Sequence, residues 1–135
     1  VVLASGVQLT YLPLDVTHKL LTSNARLKQL AAVNNQASKR VVDILNAYIT
    51  HDMDLYGIPG GPVHDASVIA YLLKPELFSG RRIHMSIDSR EGATFGQTVA
   101  DWYGVLKRPA NVLWVEQGDA QGLFNLLSDR LARLE

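Results

Sequence analysis

Cysteine is absent from these 135 residues, which excludes a disulfide framework, a thiolate nucleophile and Cys-ligated zinc. It also fits a reducing compartment, so the cytoplasm is the expected location. An excess of charge is absent as well. Thirteen Lys and Arg stand against thirteen Asp and Glu, so no broad cationic field exists to hold a phosphate backbone and nucleic acid is not an expected partner. No apolar run has the length needed to span a bilayer, and the first residues lack a basic stretch followed by a leader-like apolar segment, so no membrane is expected as a partner. What is there is an apolar content of 47%, enough for one core in one soluble domain.

Along the chain the hydrophobic period changes repeatedly, which predicts a mixed α/β domain. Val1 to Gly6 has the look of a last helical turn stopped by glycine. Gln8 to Val16, nearly continuously apolar around Leu12, reads as a strand covered on both faces, with Pro13 arguing for its end or an edge. Thr22, Ser23 and Asn24 offer capping oxygens ahead of a short helix carrying Leu27, Leu30 and Ala31. A longer helix is predicted over residues 38–56, with Val41, Ile44, Leu45, Tyr48, Ile49 and Leu55 on its apolar side and Gly57 at its end. The two prolines and three glycines of Gly57 to Pro62 exclude regular structure and predict a loop of fixed shape. Residues 66–73 then read as a largely buried helix stopped by Pro75. From Arg82 the period is two, giving a strand, and residues 94–100 give its antiparallel hairpin partner. Asn111 to Glu116 is a further strand, and Gly118-Asp119 leads into a closing helix with Leu123, Leu126, Leu127, Leu131 and Leu134 on one stripe.

The densest chemistry lies at Gly60-Gly61-Pro62-Val63-His64-Asp65. A carboxylate in the first turn of a helix is favoured in its ionised form by the positive end of the helix dipole, which suits a hard cation such as calcium. The adjacent His64 can exchange a proton near neutral pH, and a stiff loop would hold both side chains. The plainer alternative, a capping Asp65 beside an ordinary loop histidine, is open on these grounds and is the commoner circumstance. Asp52 and Tyr56, four residues apart, share a helical face with Tyr48 that ends at the mouth of this loop. They are either pocket residues, an aromatic ring to stack on a planar ligand and a carboxylate for its edge, or a half-buried ring and a solvated acid. Other patterns fail. The EF-hand-like start at Asp52 lacks the bidentate Glu at its twelfth position, where Val63 stands. The glycines fit neither a dinucleotide fingerprint nor a P-loop, and His18, His51 and His84 show no metal-ligand spacing.

Taken together, the Gly60 to Ala66 block, Leu14-Asp15-Val16-Thr17 upstream, and Gly96 to Asp101 and Pro109-Ala110-Asn111-Val112 downstream resemble the C-terminal half of the inosine-uridine-preferring nucleoside hydrolases over nearly the whole length. Tyr56, eight residues before His64, is similar to the pyrimidine-preferring branch. The resemblance implies an α/β fold, Rossmann-like, with a mixed open sheet and flanking helices, of which residues 1–135 form the C-terminal portion of one domain. It implies calcium-assisted hydrolysis of the N-glycosidic bond of a ribonucleoside to base and ribose, an activity of nucleoside salvage. By it Asp65 is a calcium ligand, His64 stands near the leaving base, and Tyr56 and Asp52 contact the base, Asp52 replacing an amide found in pyrimidine-preferring relatives. A homo-oligomer, dimer or tetramer, is implied too.

The aspartate-rich cluster that supplies most of the family's calcium carboxylates and its general base has no counterpart here. Calcium takes six to eight oxygens, so these residues alone are expected neither to hold calcium firmly nor to turn over nucleosides, and the missing N-terminal half is an expected partner. The alternative is a catalytically inert binding module of the same fold.

Overall fold

The computed structural model describes residues 1–57 and 60–134, with the side chains of Asp52 and Tyr56 also left outside the description. Its centre is a four-stranded mixed sheet in the order β1-β4-β2-β3. The strands are β1 (Leu9–Tyr11), β2 (Phe78–Ile87), β3 (Thr98–Asp101) and β4 (Val112–Gly118). β1 runs parallel to β4, while β2 is antiparallel to both β4 and β3. Around the sheet lie α1 (Leu14–Thr17), α2 (Asn24–Ala31), α3 (Gln36–Tyr56), α4 (Asp65–Leu73) and α5 (Ala120–Leu131), with 3-10 turns at Val2–Ala4 and Pro75–Leu77. The predicted α/β class with flanking helices is the class found. No helix among the described residues is long and apolar enough to cross a membrane.

The helix starts follow from capping chemistry. Ser23 accepts from the Arg26 amide at the head of α2, Asn35 and Ser38 form a reciprocal capping box on α3, and Asp119 accepts from the Gly122 amide to open α5. Each satisfies amides that have no partner inside the helix. Gly57 closes α3 in the left-handed conformation, φ 65°.

Four readings of the sequence are corrected. The strand expected over Gln8 to Val16 stops at Tyr11, because Pro13 has no amide to give a ladder, and its fixed φ instead opens the short helix α1. The second hairpin strand begins at Thr98 rather than at 94. Asp88 draws the intervening loop in, accepting from the Arg90 amide and guanidinium and the Thr94 hydroxyl, and its backbone bonds reach Gly96 and Gln97. The helix expected to be largely buried, α4, buries only Ser67 and Ala70 and leaves Val68, Ile69, Leu72 and Leu73 exposed. In α3, Ile44 and Leu55 are likewise exposed, whereas Val41, Val42 and Leu45 lean on the core.

Packing divides between the two faces of the sheet. One cluster joins Leu20, Leu30, Val63, Ala70 and the α5 residues Leu123, Phe124, Leu126 and Leu131. The other joins Ile83, Met85, Val112 and Trp114, with Leu3, Leu9, Tyr11 and Trp102 against it. Of the α5 stripe, Leu134 is exposed. Where β4 has not yet begun, the Asn111 side chain stands in for a strand, accepting from the Met85 amide and donating to its carbonyl, at 2.8 and 2.9 Å. Asp101 accepts from the amides of Val105 and Leu106, each at 2.9 Å, and so fixes the turn after β3.

Candidate functional site

The site is built where two stretches distant in sequence are stitched together. After α1 the chain passes through Leu20, Leu21 and Thr22, and the Gly60 to Val63 segment lies against it as a short two-stranded contact. The Thr22 amide donates to the Gly61 carbonyl at 2.9 Å and the Val63 amide to the Leu20 carbonyl at 3.1 Å, with Leu21 opposite Pro62. Gly60 has φ +103°, and a Cβ there would stand 2.5 Å from the Thr22 carbonyl oxygen. Only glycine fits such an approach in such a conformation. Arg26 holds the neighbouring Leu21 carbonyl from the other side, its guanidinium lying over the Phe124 ring. Ile58 and Pro59, the middle of the predicted fixed-shape loop, lie outside the described residues.

This stitching delivers His64 and Asp65 to the start of α4. Asp65 lies in the first turn with its side chain exposed, and His64 precedes it, half-buried, at the N-cap position. The Ser67 hydroxyl donates to the Val63 carbonyl, anchoring the first turn beneath them. His64 Nδ1 is 2.8 Å from Oγ1 of Thr17, across 47 residues of sequence. The His18 ring lies beside it, with centroids 5.5 Å apart and planes tilted by 59°. Two of the sequence blocks singled out above, Leu14 to Thr17 and Gly60 to Ala66, therefore meet through one buried hydroxyl.

Thr17 and His18 were not among the candidate residues. Nothing in their spacing marks them; the signal was only that Thr17 closes a short motif after a proline. The other two blocks hold structure: Asp101 and Asn111 tie loops to the sheet as described above. His84 does the same, its Nδ1 3.0 Å from the Pro109 carbonyl, and His51 is exposed on α3. Asp52 and Tyr56 belong to the last turns of α3, which ends at the loop, but their side chains are outside the described residues.

Chemically, the assembled part offers an imidazole and a carboxylate side by side, one steadied by a buried hydroxyl and the other open to solvent. Among the described residues no set of three His, Asp or Glu side chains is arranged to hold a metal ion. One exposed carboxylate does not fit calcium by itself, since that ion takes six to eight oxygens.

A family model described as inosine-uridine preferring nucleoside hydrolase matches residues 1–125. An uncharacterized protein of Schizosaccharomyces pombe is 35% identical over 133 residues, 98% of this chain and 43% of its own length. The pyrimidine-specific ribonucleoside hydrolase RihA of a Shewanella species is 34% identical over 133 residues, covering 98% of this chain and 42% of its own. Among solved structures, a purine-preferring ribonucleoside hydrolase from Gardnerella vaginalis superposes with a TM-score of 0.79 at 26% identity, over 97% of this chain and 42% of that one. The plant nucleoside hydrolase PpNRh1 superposes at 0.80 with 18% identity, over 98% and 43%, and shares the fold. The chain thus spans less than half the length of the relatives it matches.

Proposed function

Because the chain belongs to the inosine-uridine preferring nucleoside hydrolase family, we propose that it serves hydrolysis of the N-glycosidic bond of ribonucleosides, supplying the part of the site that faces the leaving base. The observation that carries this is the meeting of His64, Asp65 and Thr17 at one place. In the proposed reaction, the bond between the sugar and the base nitrogen breaks and its electron pair leaves with the base. The base takes a proton from the His64 imidazole, water adds to the anomeric carbon, and the proton lost by that water goes to a carboxylate from outside these 135 residues. Tyr56 and Asp52, at the end of α3, are proposed to contact the base. The name of the RihA relative supports a pyrimidine preference.

Asp65 is proposed as one calcium ligand, exposed and at the positive end of a helix dipole, with the remaining oxygen donors coming from beyond this chain. Those donors are proposed to come from the portion of the family domain that lies outside these 135 residues. Its proposed seat includes the apolar face of α4, where Val68, Ile69, Leu72 and Leu73 form a stripe facing solvent, and the outer edge of β1, which among the described residues is an edge strand paired with β4. Patches of this kind mark contact surfaces, and more than half of the relatives' length is free to cover them.

The test is reconstitution. The 135-residue chain is mixed or co-expressed with the complementary N-terminal portion of the Shewanella RihA relative, and ribose release from uridine, cytidine and inosine is measured with calcium present. Release by the mixture, and none by either part, is the expected result. A complex that binds ribonucleoside without releasing base would make the chain an inert binding module, and release by the chain alone would overturn the division of the site.

A further inference from the structure

The Thr17 hydroxyl is buried, with the residue 3% exposed, and among the described residues it has two acceptors within reach of its one proton. One is the Pro13 carbonyl four residues back, 3.5 Å away, at the outer limit of a hydrogen bond. That carbonyl already accepts the amides of Val16 and Thr17, each at 3.1 Å, so both of its lone pairs are engaged. The other is Nδ1 of His64 at 2.8 Å, the ordinary length of a strong bond. Were Nδ1 instead the donor, the Thr17 proton would be left with the distant, saturated carbonyl, and a buried donor without a partner is costly, about 1–3 kcal/mol.

We infer that Thr17 is a positioning residue: its hydroxyl donates to Nδ1 of His64, which fixes the ring's orientation and holds the neutral imidazole with its proton on Nε2. A neutral imidazole has one donor and one acceptor nitrogen, and the partner of the first decides the state of the second. With Nδ1 committed to Thr17, Nε2 is the sole N–H donor of the neutral ring. That is the atom a departing base nitrogen needs, so the inference rests on the base-side role proposed above for His64. It assigns Thr17 no contact with substrate. The short helix α1 acquires a task beyond joining β1 to the core: Pro13 starts it, and four residues later it sets Thr17 beneath the histidine.

The experiment is a long-range 1H–15N spectrum of the full 135-residue chain labelled in histidine, recorded at about pH 9, above the ordinary histidine range. Wild type is expected to show His64 as the Nε2–H form, with the Nδ1 resonance shifted by accepting a hydrogen bond. Thr17→Ser keeps that shift, and Thr17→Val, similar in size, loses it and admits the Nδ1–H form. An Nδ1–H signal for His64 in wild type overturns the inference with no variant needed, as does an unchanged His64 pattern in a folded Thr17→Val chain. Because the readout is a resonance and not turnover, its failure is distinct from failure of the hydrolase reading, which the reconstitution measures.

Discussion

At the residue scale, His64 and Asp65 are neighbours in sequence with separable proposed tasks. If His64 gives its proton to the base, His64→Ala in the reconstituted hydrolase lowers turnover by about 100-fold or more for natural nucleosides. The loss is much smaller for an activated aryl riboside, whose leaving group needs no proton. Equal losses for both substrate types would contradict a base-side role. Asp65→Asn removes a charged oxygen ligand, so the calcium concentration for half-maximal activity in the same system rises about ten-fold or more. An unchanged calcium dependence would remove Asp65 from the ligand set. For the chain alone, calorimetric titration is expected to show no saturation at micromolar calcium, because one exposed carboxylate is too few donors.

At the element scale, the Gly60 to Val63 segment is the piece on which the site hangs. Gly60→Ala forces a methyl group into the Thr22 carbonyl at a positive φ, and the expected cost is about 1–3 kcal/mol in urea unfolding. A change within about 0.5 kcal/mol would show that the segment rearranges freely. The hairpin loop after β2 offers a separate test by pH. Hydrogen bonds from the Arg90 guanidinium, the Thr94 hydroxyl and the Arg90 amide hold the Asp88 carboxyl well below the usual carboxylate range. A depressed folded value means the loop is fully stabilised above the ordinary aspartate value of about 3.9 and loses that stabilisation as pH falls through the lowered one. In a carbonyl 13C titration Asp88 should therefore be the last aspartate to protonate, and Asp88→Asn should remove the acid-induced shift of the Arg90 amide. Protonation of Asp88 along with the exposed aspartates would contradict this.

At the scale of the whole molecule, the exposed stripe on α4 is where the proposed contact with the remainder of the family domain is tested. A helix of sequence Asp-Ala-Ser-Val-Ile-Ala-Tyr-Leu-Leu reads as buried all round, yet among the described residues one side of it, at Ser67 and Ala70, is buried while Val68, Ile69, Leu72 and Leu73 are exposed. Leu72→Glu is expected to leave the chain's own unfolding within about 0.5 kcal/mol, since Leu72 is 71% exposed. It should weaken capture of the complementary RihA portion at least ten-fold in a pull-down or calorimetric titration. Equal capture by wild type and Leu72→Glu would place that portion elsewhere. If light scattering shows the free chain to be a dimer that Leu72→Glu dissolves, the stripe joins copies of this chain instead.

The sequence by itself determined much of the local structure: most of the helices and strands, the capping oxygen of Ser23, where Gly57 and Pro75 stop helices, and that Asp65 lies in the first turn of a helix after a segment rich in glycine and proline. These are legible because capping, φ restriction and hydrophobic period act over a few residues. Of the four corrected readings, two concern burial: the apolar residues of α4, and Ile44 and Leu55 of α3, read as core but are exposed, because a hydrophobic period reports a preference for burial and not whether a neighbour is present. The other two concern strand ends, set by Pro13 and by the loop that Asp88 draws in, which apolar alternation does not register. Only the tertiary structure decided that the chain after α1 pairs with Gly60 to Val63 and sets the Thr17 hydroxyl against His64. That contact joins residues 47 apart in the chain through a backbone pairing whose partners carry no mutual signature. Spacing along a sequence records what shares a helix face or a strand. It carries no record of which distant hydroxyl will be left facing an imidazole once the core has closed.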